Sequence, residues 1–460
     1  MRDIDIEKLN AKLFIFFLPF RMPAALKIVR QFIGMPAEFF SLVFHLIGLL
    51  FMALRGFKDK ASFNASHNRL LNFFVGMISY FAVVSLSMAT YVFMEYGNYN
   101  GNSPYIATIK MIIDFIQYLF ILVYCRRVFV ILGVESVLNC LTLSSRVVMV
   151  VGYLQISKIY DLPAFSVVSD GVSSFLALNK FKNQITLTLY EPSWAAIYIG
   201  VIVLPMLLAR LYKKEYSALI TILEIALWVP IIVMTKSTTA FLLMFATFGV
   251  AIIGLLFNRN VKVVVKIFAV FLFACGVMII NTDIVDKIFG FDFSYLLREK
   301  LFDNSNQSTA MRKLPLIGDW EIFKHFPILG CGNGLQGYFY PMLIPTEYLK
   351  SVSLDDAGRA LVYGTASTIP NGQLFFPGIL SGYGIIGAFI FILFLLKSFF
   401  FLKENHDRFG QFEYMYKLSL LSVLLAGIKS EFVGFYIVWF VLAIPYAAYN
   451  CDEIRDKEYE

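Results

Sequence analysis

Long apolar runs alternate along the chain with short polar interruptions, and the length of those runs sets the first expectation. A helix needs about twenty mostly apolar residues to cross a bilayer core. Windows of that kind fall at 37–54, 70–94, 105–124, 137–156, 194–210, 217–234, 238–257, 263–281, 373–396, 414–428 and 432–449. A further run, 12–30, is interrupted by Pro19, Arg21 and Pro23, leaving a kinked span or an interfacial helix as its two readings. Between 281 and 372 the apolar pattern gives way to charged residues, glycines and prolines. A stretch of that length cannot lie in the bilayer core without regular structure, because its backbone polar groups would go unpaired there. The pattern therefore predicts an all-α polytopic membrane protein of about twelve transmembrane helices with one large loop at a membrane face. Three regions follow: an N-terminal helix bundle (1–281), the large loop with short helices (282–371), and C-terminal spans with a short tail (372–460).

Composition agrees. Of 460 residues, 59% are hydrophobic and 15% charged, with a mean hydropathy of +0.72. Soluble domains carry about a quarter charged residues. The 48 Phe and 25 Tyr suit helix packing in lipid and interfacial aromatic belts. The formal charge of +7 is spread over short loops, which points to anionic lipid head groups and away from nucleic acid. Five cysteines form no CxxC pair, so neither a disulfide framework nor a zinc site is expected. The first residues carry acids and no small-residue cleavage signature, so no cleaved signal peptide is expected. No repeat is visible and the two halves do not echo each other, which disfavours the inverted-repeat design of a transporter or flippase.

Loop charges give the orientation. Arg55, Lys58, Lys60 and Arg69 share one loop, Arg126 and Arg127 another, followed by Arg210, Lys213 and Lys214, then Arg259 and Lys262, then Lys397, Lys403 and Arg408. Intervening loops such as 95–104 are poor in Lys and Arg, whereas Lys158, Lys180 and Lys182 run against the trend. The positive-inside rule places the basic set in the cytoplasm and the large loop outside. Arg2, Lys8 and Lys12 put the N-terminus inside as well, so both termini are expected in the cytoplasm.

Under that topology four polar stretches face the same external compartment. They are Tyr190-Glu191-Pro192-Ser193-Trp194, Thr235-Lys236-Ser237-Thr238, the large loop with Arg312, Lys313, Asp319, Glu321 and Arg359, and Lys429-Ser430-Glu431. Each has a structural alternative. Glu191 and Pro192 suit a helix start, Lys236 can snorkel to the interface, and Lys429 with Glu431 can form a local ion pair. Arg146 falls inside a span and requires a partner. At about 100° per residue, 319–326 reads as an amphipathic helix with Trp320, Ile322, Phe323 and Phe326 on one side and Glu321, Lys324 and His325 on the other. Gly330-Cys331-Gly332-Asn333-Gly334 lacks the strand and Lys-Ser/Thr of a nucleotide loop. It fits a glycine turn that lets backbone come close to a neighbour or ligand.

These residues resemble a known family. Arg312 followed by Trp320, then Pro327-Ile328-Leu329-Gly330-Cys331-Gly332-Asn333-Gly334, is similar to the signature of the O-antigen polymerase and ligase superfamily. Asn371 ahead of Leu380-Ser381-Gly382-Tyr383-Gly384-Ile385-Ile386-Gly387 resembles its return helix, and Glu191-Pro192-Ser193 resembles a motif of Wzy-type capsule and exopolysaccharide polymerases. The likeness covers roughly 190–395. Two departures matter: Pro370 stands where ligases carry His, and Lys236 near Ser237-Thr238 replaces the usual Ser-Arg. The first favours a polymerase over a ligase. The second replaces a bidentate guanidinium by a point charge.

The resemblance implies a GT-C-like membrane glycosyltransferase in the bacterial cytoplasmic membrane. It would join undecaprenyl-pyrophosphate-linked repeat units at the outer face, in O-antigen, capsule or exopolysaccharide synthesis. No cofactor is expected beyond the substrate's own pyrophosphate, and no metal, Asp355-Asp356 being the weak alternative. Expected partners are the lipid-linked substrates, membrane lipids, a chain-length regulator and a flippase. Arg312 and Glu191 are the candidate catalytic residues. Lys236, Ser237, Arg359, Trp320, Asn371 and Lys429 are candidates for binding pyrophosphate or glycan, and Gly330, Gly332 and Gly334 for shaping the loop.

Overall fold

The computed structural model describes residues 2–26, 39–54, 65–178, 181, 183–213, 217–257, 307–350, 359–360, 363–364, 374–405, 409, 411–428 and 435–449. Regular structure among the described residues is helical, with two isolated bridges, Arg21 to Phe39 and Tyr99 to Asn102. The first helices are α1 (Arg2–Phe16), α2 (Ser41–Leu54), α3 (Ala65–Tyr96), α4 (Pro104–Ile159) and α5 (Pro163–Phe175). Pro192–Tyr198, a π-turn at Ile199–Val203 and Leu204–Lys213 make one rod, α6, followed by α7 (Ala218–Met234) and α8 (Thr238–Phe257). The large loop supplies α9 (Gln307–His325), α10 (Gln336–Leu343) and α11 (Thr346–Lys350); α12 (Phe375–Glu404), α13 (Gln411–Gly427) and α14 (Tyr436–Ala447) complete the bundle.

Four described helices are long and apolar enough to cross a membrane: Arg69–Tyr96, Pro104–Ile159, Pro192–Tyr212 and Phe375–Glu404. Shorter apolar helices lie at Ser41–Leu54, Ala218–Met234, Thr238–Gly254 and Tyr436–Ala447. The protein is a multi-pass membrane protein. The window 263–281 lies outside the described residues.

Three stretches differ from uninterrupted spans. In the run 12–30, α1 stops at Phe16 and Pro19 and Pro23 follow, while 27–30 lie outside the described residues. Proline inside a helix removes a hydrogen bond and costs about 3 kcal/mol. Residues 19–22 instead lie against the chain before α6, where Arg21 N–H donates to Thr188 O at 2.9 Å and Thr188 Oγ1 to Pro19 O at 2.6 Å.

The windows 105–124 and 137–156 are two halves of α4, broken by non-helical backbone at Gly133 (φ 76°, ψ 163°). The first half runs beside α14: Tyr118 stacks on Trp439 at 3.8 Å, and Arg126 donates to Ala447 O at 3.0 Å. The second half returns to the opposite end, where Gln155 Nε2 donates to Leu187 O at 2.8 Å. Arg126 and Arg127 are thus helical rather than looped. Arg127 pairs with Glu7 at 2.9 Å with both side chains buried, which compensates two charges that would be costly alone. Arg146 finds the partner its depth requires: its Nε donates to Glu224 Oε1 at 2.7 Å, and Arg210 reaches Glu224 Oε2 at 3.4 Å.

The window 373–396 is not a simple span either. Gly384 (φ 62°, ψ −166°) breaks α12, and Phe375 and Phe391 face each other at 5.5 Å. Sixteen residues of unbroken helix would separate them by about 24 Å. The element is a hairpin whose vertex is Ser381–Gly384, with Tyr383 stacked on Phe81 of α3 at 3.9 Å.

Candidate active site

Residue contacts place two of the polar stretches at one end of the bundle. A Cβ on Gly200 of α6 would lie 2.7 Å from Leu243 of α8, and Leu208 and Ala251 share a buried cluster further along. The helices therefore run parallel in a fixed register. Followed back about two turns, it sets Pro192–Ser193 level with Thr235–Lys236. Ile185 N–H donates to Met234 O at 3.2 Å and ties the two approaches together.

Glu191 is the N-cap of α6, with Pro192 in the first turn. That satisfies the helix-start reading of the backbone, but the side chain makes no capping hydrogen bond; Ser193 Oγ donates to its Oε2 at 3.2 Å instead. The carboxylate is half-buried. Its neighbours are fixed: Arg21 lies over the Tyr190 ring at 4.2 Å and donates to Ala177 O. Trp194 stacks on Phe39 at 5.7 Å and meets Phe435 edge-on at 4.9 Å.

Lys236 sits in left-handed backbone (φ 47°), a conformation uncommon for a side-chain-bearing residue. Burial lowers its ammonium from the usual lysine range. Thr235, Ser237, Thr238 and Thr239 around it are buried. The start of α14 reaches the same end through Phe435. So does the end of α13, which runs antiparallel to α8: Thr247 Oγ1 lies 3.0 Å from Ser422 Oγ, and Tyr414 lies near Gly254. Lys429 lies outside the described residues, as do Asn371 and Asp355-Asp356.

The second assembly joins α9 to the α12 vertex. The glycine turn and the return-helix motif interlock through backbone: Cys331 N–H donates to Ser381 O at 2.8 Å, Gly332 N–H to Gly382 O at 2.9 Å, and Ile385 N–H to Pro327 O at 2.9 Å. Gly330 and Gly384 make this approach possible. A Cβ on the first would lie 2.3 Å from Gly382 C, and on the second 2.2 Å from Ile328 O. Beneath the interlock, the fully buried Asp319 accepts from Tyr340 Oη at 2.9 Å and Ser381 Oγ at 2.8 Å. Burial pushes its carboxyl up to about 7, the two hydroxyls pulling the other way. Gly332 packs on Ser85 and Met88 of α3 and Gly334 on Met111 and Ala107 of α4, so all three loop glycines touch the bundle.

Arg312 lies on α9, two turns before Asp319. Arg359 is exposed in a short described piece. The amphipathic split expected for 319–326 is corrected. Trp320 and Ile322 are about 200° apart around the helix and face opposite ways, Ile322 fully buried and Trp320 54% exposed. The buried stripe is Ala310, Leu314, Asp319 and Ile322. Ser381, Tyr340 and Arg21 were not singled out from sequence as site residues. An arginine between two prolines in an apolar run, and a serine inside a glycine motif, were the available signals.

A protein-family model described as O-antigen ligase matches residues 225–355, from within α7 through α11. That stretch is similar to the family's domain and spans less than a third of the chain. The match supports the O-antigen ligase and polymerase superfamily, whose members transfer glycans. It covers Lys236, Ser237, Arg312, Trp320 and the three loop glycines, and leaves Glu191, Arg359 and Asn371 outside. No curated protein sequence matches the chain.

Proposed function

We propose that the protein is a repeat-unit polymerase: a glycosyltransferase joining undecaprenyl-pyrophosphate-linked oligosaccharides at the outer face of the bacterial cytoplasmic membrane. The observation that carries this reading is the shared level of Glu191 and Lys236, a carboxylate and a cation just ahead of two different helices at one end of the bundle.

A hydroxyl oxygen of one repeat unit attacks the anomeric carbon of the other chain. The bond from that carbon to the pyrophosphate oxygen breaks, and undecaprenyl pyrophosphate leaves with the electron pair. Pyrophosphate is already a good leaving group, so the protein positions the partners, stabilises the departing charge and accepts one proton. Lys236 and Arg312 neutralise the pyrophosphate, with Arg359 in support, because charge-assisted hydrogen bonds to phosphate oxygens are the strong ones. Glu191 accepts the hydroxyl proton or orients the acceptor. The chemistry needs no metal. A chain-length regulator and a flippase are the natural partners of such a reaction.

The second reading is a ligase moving a finished glycan to another acceptor. The family description favours it; Pro370, in place of a ligase's histidine, weighs against it. Purified protein in proteoliposomes with lipid-linked repeat units distinguishes them. A polymerase makes longer lipid-linked glycans and releases undecaprenyl pyrophosphate without any other acceptor, and Arg312→Ala and Glu191→Gln abolish this. If both variants retain full turnover at equal protein levels, the site assignment is wrong.

A further inference from the structure

The outward side of α9 and the turn after it form an apolar surface that the proposed reaction does not use. Leu316 is 43% exposed, Trp320 54%, Ile328 61% and Leu329 47%. Phe323 packs beside Trp320 with ring centroids 5.5 Å apart. A contiguous apolar patch of this kind marks an interaction surface.

Two neighbours identify what covers it. Ile385 N–H binds Pro327 O at 2.9 Å, which seats the turn at the head of the second arm of α12. There Ile385, Phe389, Ile392 and Leu396 are all exposed. They recur at helical spacing on a candidate membrane span, so this stripe faces lipid. On the other side, Phe326 meets Tyr91 of α3 edge-on at 6.5 Å. Tyr91, Phe93 and Tyr96, in the last turns of α3, are exposed, and such aromatic clusters at helix ends mark the bilayer–water boundary. The patch is thus continuous with the lipid-facing surface at the depth of its aromatic belt. Lys324 beside it pairs with Glu321 at 2.5 Å and keeps its head at the surface, where phosphate head groups lie.

We propose that the second half of α9 lies in the head-group region of the membrane, anchored by Trp320, with Ile328 and Leu329 against the upper acyl chains. The partner is the phospholipid surface itself. Trp320 is then turned to lipid rather than to sugar. The anchor also fixes the depth of Arg312, about 12 Å away along the same helix. This inference rests on the membrane-spanning character of the bundle and stands apart from the reaction and from the compartment the loop faces.

Full-length protein and Trp320→Phe, each in phosphatidylcholine proteoliposomes, isolate the emission of Trp320 as their difference. That emission should fall by about half or more with bromines near the lipid head groups, less with bromines near the chain ends, and little with aqueous iodide. Leu329→Trp in the Trp320→Phe background provides a second reporter, which should be quenched by bromines set deeper. Emission quenched by iodide and by neither brominated lipid would place Trp320 in water and overturn the proposal. Emission quenched by none of the three would mean protein covers it, and would overturn the proposal equally.

Discussion

Gly330→Ala attacks the interlock at its tightest point. The new Cβ would stand 2.3 Å from Gly382 C and Tyr383 N, backbone atoms that cannot rotate aside as a side chain would. Gly330 also holds φ +73°, where an L side chain costs about 1–2 kcal/mol. Relieving the clash moves the turn off the vertex and breaks the hydrogen bonds from Cys331 and Gly332, worth about 1 kcal/mol each net. Overpacking adds about 1–3 kcal/mol. The total, about 4–7 kcal/mol, is comparable with a whole domain's stability margin. Thermal unfolding in detergent should show a large loss, and the 326–335 segment should become sensitive to protease. Gly171→Ala is the control: nothing lies within 4 Å of its Cβ position, and alanine is favoured in a helix by about 1 kcal/mol. If Gly330→Ala melts with the wild type and its turn resists protease, the interlock does not hold the loop.

Asp319 makes stability depend on pH. Its carboxyl ionises near 3.8 unfolded and about 7 folded, so the neutral form's contribution is full below the lower value and lost as pH rises through the upper. About three units correspond to an upper bound of about 4 kcal/mol. Wild-type melting temperature should therefore fall between about pH 4 and 7 while Asp319→Asn stays flat over that range; parallel curves would contradict this. Lys236→Gly should leave the melting temperature nearly unchanged, since relief of left-handed strain offsets glycine's extra unfolded freedom at about 1 kcal/mol each, yet abolish glycan transfer. A large stability loss with transfer intact would make Lys236 structural. Arg21→Ala removes the cation over Tyr190 and the donor to Ala177, at a cost of about 2 kcal/mol, and should lower glycan transfer by loosening Glu191; unchanged unfolding and transfer would refute the clamp.

The apolar windows were legible because about twenty apolar residues have few other uses. So was Arg146's need for a partner, which Glu224 meets. What periodicity could not convey was where each helix turns back. The interruption between 105–124 and 137–156 was legible, but the break falls at Gly133 and not at Arg126-Arg127. Gly384 sits in apolar sequence that reads as continuing helix, and only contacts such as Phe375 with Phe391 reveal its reversal. The amphipathic split of α9 failed because Trp320 was grouped by hydrophobicity, although its azimuth opposes that of Ile322. Asp319 stood out in sequence as one charge among several; its burial depends on Tyr340 and Ser381 arriving from elsewhere in the chain. The glycine turn and the return motif were each recognisable, whereas their mutual contact was not.

The most direct test of the central claim is the glycan pattern of a strain lacking this gene, resolved on a gel that detects lipid-linked and surface polysaccharide. A repeat-unit polymerase predicts a ladder that collapses to a single unit and is restored by the gene but not by Arg312→Ala. Full-length polymer stranded on its lipid carrier would contradict the polymerase and establish a ligase.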